Sequence, residues 1–526
     1  MNVTKQWLQT CKTEPGHSQC REAYGTSPGA YSTLPTRVIN VGSENEEPFL
    51  FESNGQKAPY CILSYCWDRP GNAITTRDNL SNRLQRIPLL SLPTFIHQAI
   101  LTTRRLGYKY VWIDALCIIQ DDVDDWAREA STMHELYSQA DLTISSLIAS
   151  DSRDSLFDSR PRQIVRPIPL NLGLPKRDRP NFKEGTVFEI AACPDFKEDI
   201  KLDGPIHQRA WILQEQLLST RVLYFGAGIL HWECLHSYHF EHDPSRNPRW
   251  GLSQSNKIET RRNTKLVLQR SPKWNGTLGE KSRPIEVWQS QVEEFTRRKL
   301  TKASDRIPAF LAISKVLCKV AGDHFVGEIW TGNHLFQTLC WTLKQPNNTE
   351  PTGPTWTWAS RSGEVSYSIL RHSGSLVPTA SVVLCDVGAD TSHSTISGSI
   401  TLKGFFGACR AGSGPAAIFD HISGSAGPLY ILDMLELRKE AAPSVATEVR
   451  SSYYPEVQPL MMPEHDAIVS LLLKPVNDKE DFKTASRFHR VGIYRMEFDQ
   501  TYCAGFSPEK FRSVTEFETD RVVTIV

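Results

Sequence analysis

The sequence predicts an α/β fold: a mainly parallel central sheet flanked by helices, followed by a helical segment and a β-rich C-terminal region. Three observations carry this. Between Tyr60 and Ser150, short apolar runs alternate with amphipathic stretches in the order strand, helix, strand, helix, strand, the pattern of parallel strands joined by crossover helices. Helical spacing returns between about 284 and 343. From about Thr379 the apolar residues fall into short runs with strand character.

"YCILSYCW" (60–67) is short and apolar throughout, as a buried strand requires. In "PTFIHQAILTTRRLG", Phe95, Ile96, Ala99, Ile100 and Leu106 lie on one helical face and Gly107 is the stop. "YKYVWIDALCIIQ" (108–120) reads as the second strand. "DVDDWAREASTMHELYSQAD" opens with aspartates, which favour a helix N-terminus, and is striped by Trp126, Ala130, Met133 and Tyr137. "DLTISSLIAS" is the third strand, "QRAWILQEQLLST" a helix, and "RVLYFGAGILHWEC" two strands around a turn. Residues 1–56 form an N-terminal extension that looks loop-like apart from the strand candidate "TRVINV". The expected divisions are a core at 57–216, an associated extension at 217–363, and the β-rich region at 364–526. The extension holds a polar, basic stretch at 243–284, read as a solvated insertion in preference to an anion site.

Composition narrows the function. With 526 residues, the chain is long enough for two or more cores. Lys+Arg and Asp+Glu stand at 59 each, so nothing suggests a general polyanion binder, and no nucleic-acid partner is expected. No apolar run approaches the roughly 18 residues of a membrane helix, and the N-terminus lacks a signal peptide's apolar stretch. Twelve scattered cysteines, several inside apolar runs, fit reduced thiols of an intracellular protein.

Asp114 interrupts an apolar run, where a carboxylate is costly unless paired or hydrogen-bonded. It either clamps a neighbouring segment or lines a pocket at the carboxyl end of its strand, where α/β folds place ligands. The expected contact is with "QRAWILQE", Arg209 first. Glu129 borders the apolar stripe of its helix, where a carboxylate serves as acid, base or cation stabiliser, or simply forms a salt bridge. Cys117 is either a nucleophile or an inert buried thiol. Two stretches carry metal-ligand residue types: "CKTEPGHSQC" (Cys11, His17, Cys20), which lacks a fourth ligand, and "HWECLHSYHFEH" (His231, Cys234, His236, His239, His242). Neither has the paired spacing of a zinc module, so no metal site is assigned. "FGAGIL" and "GTSPG" lack the flanking elements their motifs need. Trp356 and Trp358 in "PTWTWASRSG" read as a core plug.

Three blocks resemble the fungal heterokaryon-incompatibility (HET) domain family. They are Leu63, Ser64, Tyr65 and Trp67 in the first; Trp112, Asp114, Leu116, Cys117, Ile118, Gln120, Trp126, Glu129, Met133, Tyr137 and Ala140 in the second; and Arg209, Trp211, Gln214 and Glu215 in the third. Asp68, Ala115 and Ala210 depart from the pattern and affect local turns. The resemblance implies a cytoplasmic fungal protein that triggers growth arrest or death in non-self recognition, through a protein partner or self-association. HET domains have been likened to TIR domains, some of which cleave NAD. That analogy makes NAD a possible substrate, with Glu129 and Asp114 as catalytic candidates and Tyr65 and Trp67 shaping the pocket. Cys117, Gln120, Arg209, Trp211, Gln214 and Glu215 complete the candidate site. The alternative is an enzyme recruited to a specialised biosynthetic pathway.

Overall fold

A computed structural model of the chain describes residues 2–23, 31–66, 73–157, 168–170, 188–190, 204–226, 228–241, 252–268, 284–326, 328–345, 349–370, 375–378, 380–390, 395–408, 417–419, 430–438, 466–476, 485–498 and 517–526. It divides into two units, Met1–Ser271 and Pro272–Val526.

The strands of the first unit are β1 (Arg37–Asn40), β2 (Phe49–Glu52), β3 (Cys61–Ser64), β4 (Tyr110–Trp112), β5 (Leu142–Ser146), the small pair β6 (Ile168–Leu170) and β7 (Phe188–Ile190), then β8 (Arg221–Phe225), β9 (Leu230–Cys234) and β10 (Tyr238–Phe240). Among the described residues, all but β6 and β7 join one sheet in the order β10-β9-β8-β5-β3-β4-β1-β2. The middle four strands are parallel, and antiparallel pairs extend both edges. Counted along the chain, the parallel strands run 2-1-3-4. The order therefore reverses between β3 and β5, the place where doubly wound sheets hold ligands.

The helices are α1 (Asn2–Thr13), α2 (Ser18–Arg21), α3 (Arg77–Gln85), α4 (Thr94–Leu106), the single turn α5 (Asp114–Cys117), α6 (Val123–Gln139), α7 (Trp211–Leu218) and α8 (Leu252–Leu268). Helix α4 buries Phe95, Ile96, Ala99, Ile100 and Leu106, and Gly107 ends it in the left-handed conformation (φ 91°) that glycine adopts without strain. The crossovers through α6 and α7 pack on one another, whereas the right-handed rule assigns α4 to the opposite face.

Four expectations need correction. The second strand ends at Trp112, and Asp114–Cys117 coil into a helical turn. Cys117 N bonds back to Ile113 O (2.8 Å), while Thr75 takes the carbonyls of Ala115 and Leu116. Asp114 therefore sits just beyond a strand end, not within a strand. Residues 2–13 are helical because Thr4, Trp7, Leu8 and Cys11 form a buried stripe, too short and mixed to stand out in sequence. In α6 the buried face runs through Asp125, Glu129, Met133, Leu136 and Tyr137, and Trp126 lies outside it. The buried Arg37 beside Asp125 and Glu129, with the exposed Arg128, lets carboxylates replace apolar groups there. Finally, part of the basic stretch is α8, whose Lys265 is fully buried and paired with Glu233 (2.6 Å); residues 243–251 and 269–283 lie outside the described residues.

Beyond β5 the chain departs on a long excursion and returns at Gly204. A Cβ there would lie 1.7 Å from the Leu147 carbonyl oxygen, so only glycine fits this approach.

The second unit begins with α9 (Pro284–Thr296) and α10 (Pro308–Ala321), which pack together. Next come the ladders β11 (Phe325–Val326) with β12 (Ile329–Trp330) and, around α11 (Leu335–Leu339), β13 (Thr342–Leu343) with β14 (Val365–Ser366). Trp356 and Trp358 are fully buried, and Trp358 meets Phe310 and Phe295 edge-on. The remaining strands are β15 (Ser375–Pro378), β16 (Ser381–Asp390), β17 (Thr395–Ala408), β18 (Ala417–Phe419), β19 (Tyr430–Arg438), β20 (Asp466–Pro475), β21 (Arg487–Phe498) and β22 (Phe517–Ile525). Strand β17 pairs with both β22 and β19, so β17, β19, β20, β21 and β22 close a ring. No helix among the described residues is long and apolar enough to cross a membrane.

Candidate functional site

The carboxyl ends of β3 and β4 are neighbours in the sheet, and the residues that leave these two ends define the site. β3 delivers Ser64 and Tyr65. β4 delivers Asp114 at the first position of α5, half-buried. Helix α6 adds Tyr137, and α7 adds Gln214 and Glu215, preceded by Arg209.

These groups share one electrostatic environment. Burial, with the nearby Asp114 charge adding to it, pushes the Glu215 carboxyl up from 4.5 to about 7, against the opposing effects of the Ser64 and Tyr137 hydroxyls and the Arg209 guanidinium. Burial raises Tyr65 as well, reinforced by Asp114, and Tyr137, reinforced by Glu215. Tyr137 donates to the Leu63 carbonyl (3.1 Å), Arg209 Nη1 donates to the Tyr65 carbonyl (3.3 Å), and Tyr65 stacks on Phe95 (5.7 Å). Gln120 Nε2 holds the turn by donating to the carbonyls of Asp114 (3.0 Å) and Ile118 (3.3 Å).

Four buried polar atoms here make no well-aligned hydrogen bond with the described residues: Ser64 Oγ, Tyr65 OH, Gln214 Oε1 and Glu215 Oε2. Buried polar atoms are nearly always paired, so this cluster has capacity for a polar ligand or water. A carboxyl that titrates near neutrality can give or take a proton at cellular pH. Two open cavities of the first unit lie elsewhere. One, of about 310 Å³, is lined by Lys12, Arg21, Asp141 and Arg221; the other, of about 560 Å³, by Glu44, Arg104, Arg105 and Lys109. Neither touches the buried acids, and chemistry follows the acids.

Glu129 belongs to a different cluster. Arg37 of β1 pairs with Asp125, lies 3.9 Å from Glu129, and donates to the Cys117 carbonyl (2.8 Å). Arg128 pairs with Asp125 and lies 3.8 Å from Glu129. Ile119 N donates to Asp125 (2.8 Å). Burial raises the Glu129 carboxyl, and Thr36 and Arg37 oppose that rise. None of the groups that set its ionisation belongs to the Glu215 cluster.

Of the remaining sequence candidates, Cys117 has no exposed surface, and burial pushes its thiol to about 12. Both features favour the inert buried thiol over the nucleophile. Trp211 is half-buried at the start of α7, and Trp67 lies outside the described residues. Ser64 and Tyr137 are site residues that the sequence does not single out. Their signals are present, Ser64 beside Tyr65 and Tyr137 ending the α6 stripe, but each also suits simple packing. The histidine stretch is dispersed: His231 bonds Tyr238 OH (3.1 Å), His239 stacks on Trp7, and His236 lies against His17.

The fold and site define a doubly wound α/β domain with an acid cluster at the carboxyl ends of its parallel strands. Residues 60–215 match the family model described as heterokaryon incompatibility protein (HET). That segment ends at Glu215 and includes every member of the cluster. No curated protein and no solved structure matches the chain.

Proposed function

We propose that the chain is a heterokaryon-incompatibility effector whose output is controlled at the Asp114–Tyr65–Tyr137–Glu215 cluster, acting in the cytoplasm through a partner or self-association. The observation that carries this is Glu215: a buried carboxyl raised to about 7 by burial and the nearby Asp114 charge, and faced by the Ser64 and Tyr137 hydroxyls and the Arg209 guanidinium. Acids held near neutrality in a cleft of this kind mark functional sites more often than purely structural cores. The test is expression in hyphae of the wild-type chain and of Glu215→Gln, which keeps shape and removes titration. Growth arrest should be lost in the variant at equal protein abundance; full arrest by Glu215→Gln overturns the proposal.

A second reading is cleavage of the nicotinamide–ribose bond of NAD at the same cluster. Two features support it: two carboxyl groups, Glu215 and Asp114, acting on the same tyrosine, Tyr137, and a strand order with its reversal beside them. Here Glu215 takes the role that resemblance gave to Glu129, beside Asp114. Purified protein should release nicotinamide, Glu215→Gln should lower the rate at least about 100-fold, and Glu129→Gln should lower it far less. No release at high protein concentration rules this chemistry out while leaving the effector proposal standing.

A further inference from the structure

The two sequence stretches with incomplete metal sets come together in space. Cys11 on α1, His17 and Cys20 beside and within α2, and Cys234 at the end of β9 place one ligand atom each within 4.8 Å of one another, all buried. We infer that these four residues form a structural zinc site that staples the N-terminal helices to the antiparallel edge of the sheet.

Two of the six edges between ligand atoms have the lengths of a metal tetrahedron, and all six lie within 4.8 Å. Metal–sulfur bonds of about 2.3 Å and metal–nitrogen bonds of about 2.0 Å imply S···N edges of roughly 3.6 Å and S···S edges of roughly 3.8 Å. His17 Nδ1 lies 3.6 Å from Cys234 Sγ and 3.8 Å from Cys20 Sγ. The donor set is three sulfurs and one imidazole nitrogen, which selects zinc over the hard cations magnesium and calcium. All four positions come from protein, and the residues are at most 5% exposed, so a bound metal would have its full set of four ligands, as structural zinc sites do.

The surroundings fit thiolate ligands. Arg221 Nε donates to Cys11 Sγ (3.1 Å), and its Nη2 donates to the Cys20 carbonyl (2.9 Å). Ser237 N donates to Cys234 Sγ (3.3 Å), with Ser237 Oγ at the same distance. N–H groups directed at sulfur are the outer contacts that hold and tune zinc-bound thiolates. Charges balance as well. Zinc displaces three thiol protons, so Zn²⁺ with three thiolates and a neutral imidazole carries −1, and the buried Arg221 offsets it. Without a metal, three thiols and an imidazole would crowd one apolar pocket for no gain.

The placement explains the fold of residues 2–23. A 12-residue helix and a single turn are marginal by themselves. The staple joins them to β9 more than 200 positions away, while Trp7 packs against Trp232 (6.2 Å) and His239. This inference is independent of the Glu215 reading.

The test is metal analysis of the full chain, purified without a metal-affinity tag. About one zinc per chain is expected, and replacement with Co²⁺ should give thiolate charge-transfer and tetrahedral d–d bands. Cys11→Ser and Cys234→Ser should lose the metal, Cys61→Ser should keep it, and His17→Cys should keep it with shifted cobalt bands. Three results overturn the proposal: less than about 0.1 zinc with no cobalt spectrum in the wild-type chain, one zinc retained when Cys11, Cys20 and Cys234 are all serine, or a disulfide between two of these cysteines in the isolated protein. If the serine variants fail to fold, the wild-type metal content, cobalt bands and disulfide mapping decide.

Discussion

Two clusters of buried carboxyl groups flank the turn at Asp114–Cys117, and they are built on opposite principles. Around Arg37, Asp125 and Glu129 are supplied with cations: one guanidinium reaches both acids and a second closes the set. Around Glu215, two acids face tyrosine and serine hydroxyls, and the cation acting on Glu215 is a half-buried arginine bonded to a backbone carbonyl. The first arrangement ties β1, the Asp114 turn and α6 together. The second leaves a proton undecided at neutral pH. Ion pairing consumes the reactivity that an isolated acid keeps, so the better-paired carboxylate is the poorer catalytic candidate.

The contrast is broken most severely at Arg37. Arg37→Met should cost about 3–5 kcal/mol, because it removes the buried cation shared by two buried carboxylates and leaves them only the exposed Arg128; urea denaturation at neutral pH measures it, and a loss under about 1 kcal/mol means the network does not clamp the fold. Glu215→Gln should act in the opposite sense. The native carboxyl has its pKa near 7 against 4.5 when unperturbed, so the folded state holds a proton that the unfolded state releases. Its stabilisation is complete below pH 4.5 and is lost as pH rises through 7. The wild type should lose on the order of 3 kcal/mol relative to the variant across that window. Parallel stability profiles would show that Glu215 titrates normally.

Cys117, between the clusters, provides a smaller test. Cys117→Ala should cost about 1 kcal/mol and leave growth arrest intact, and native Cys117 should resist alkylation until unfolding. Rapid labelling of the folded protein would restore the nucleophile reading. Smallest is Asp114→Asn. Removing a charge that raises Glu215 should lower the apparent Glu215 pKa, read from the pH limb of whichever activity the chain shows. An unchanged limb would separate the two acids.

The sheet is legible in the sequence because buried parallel strands are short apolar runs and α4 carries its stripe and stop in plain view. The single turn at Asp114 is not. Extended and helical backbones place Ala115, Leu116 and Cys117 equally well in a core, and Thr75, which takes the carbonyls there, lies about 40 positions away in sequence. Asp114 and Glu215 are recognisable as carriers of the family pattern, but nothing local shows that Glu215 is the acid that burial raises further. Glu129 looks the better acid only while its helix is read with Trp126 inward. The buried Arg37, from β1, is what makes Asp125 an acceptable core residue. The metal stretches fail singly for the same reason: the fourth ligand of one lies inside the other.

Gly204 has a consequence for how such a domain can vary. The polypeptide leaves the sheet after Leu147 and re-enters against that same residue's carbonyl, so the departing and returning strands of the excursion are pinned to a common point. Any side chain at position 204 would have to displace the Leu147 carbonyl. The seam where the chain rejoins the sheet therefore tolerates no substitution, whatever sequence lies between its two ends.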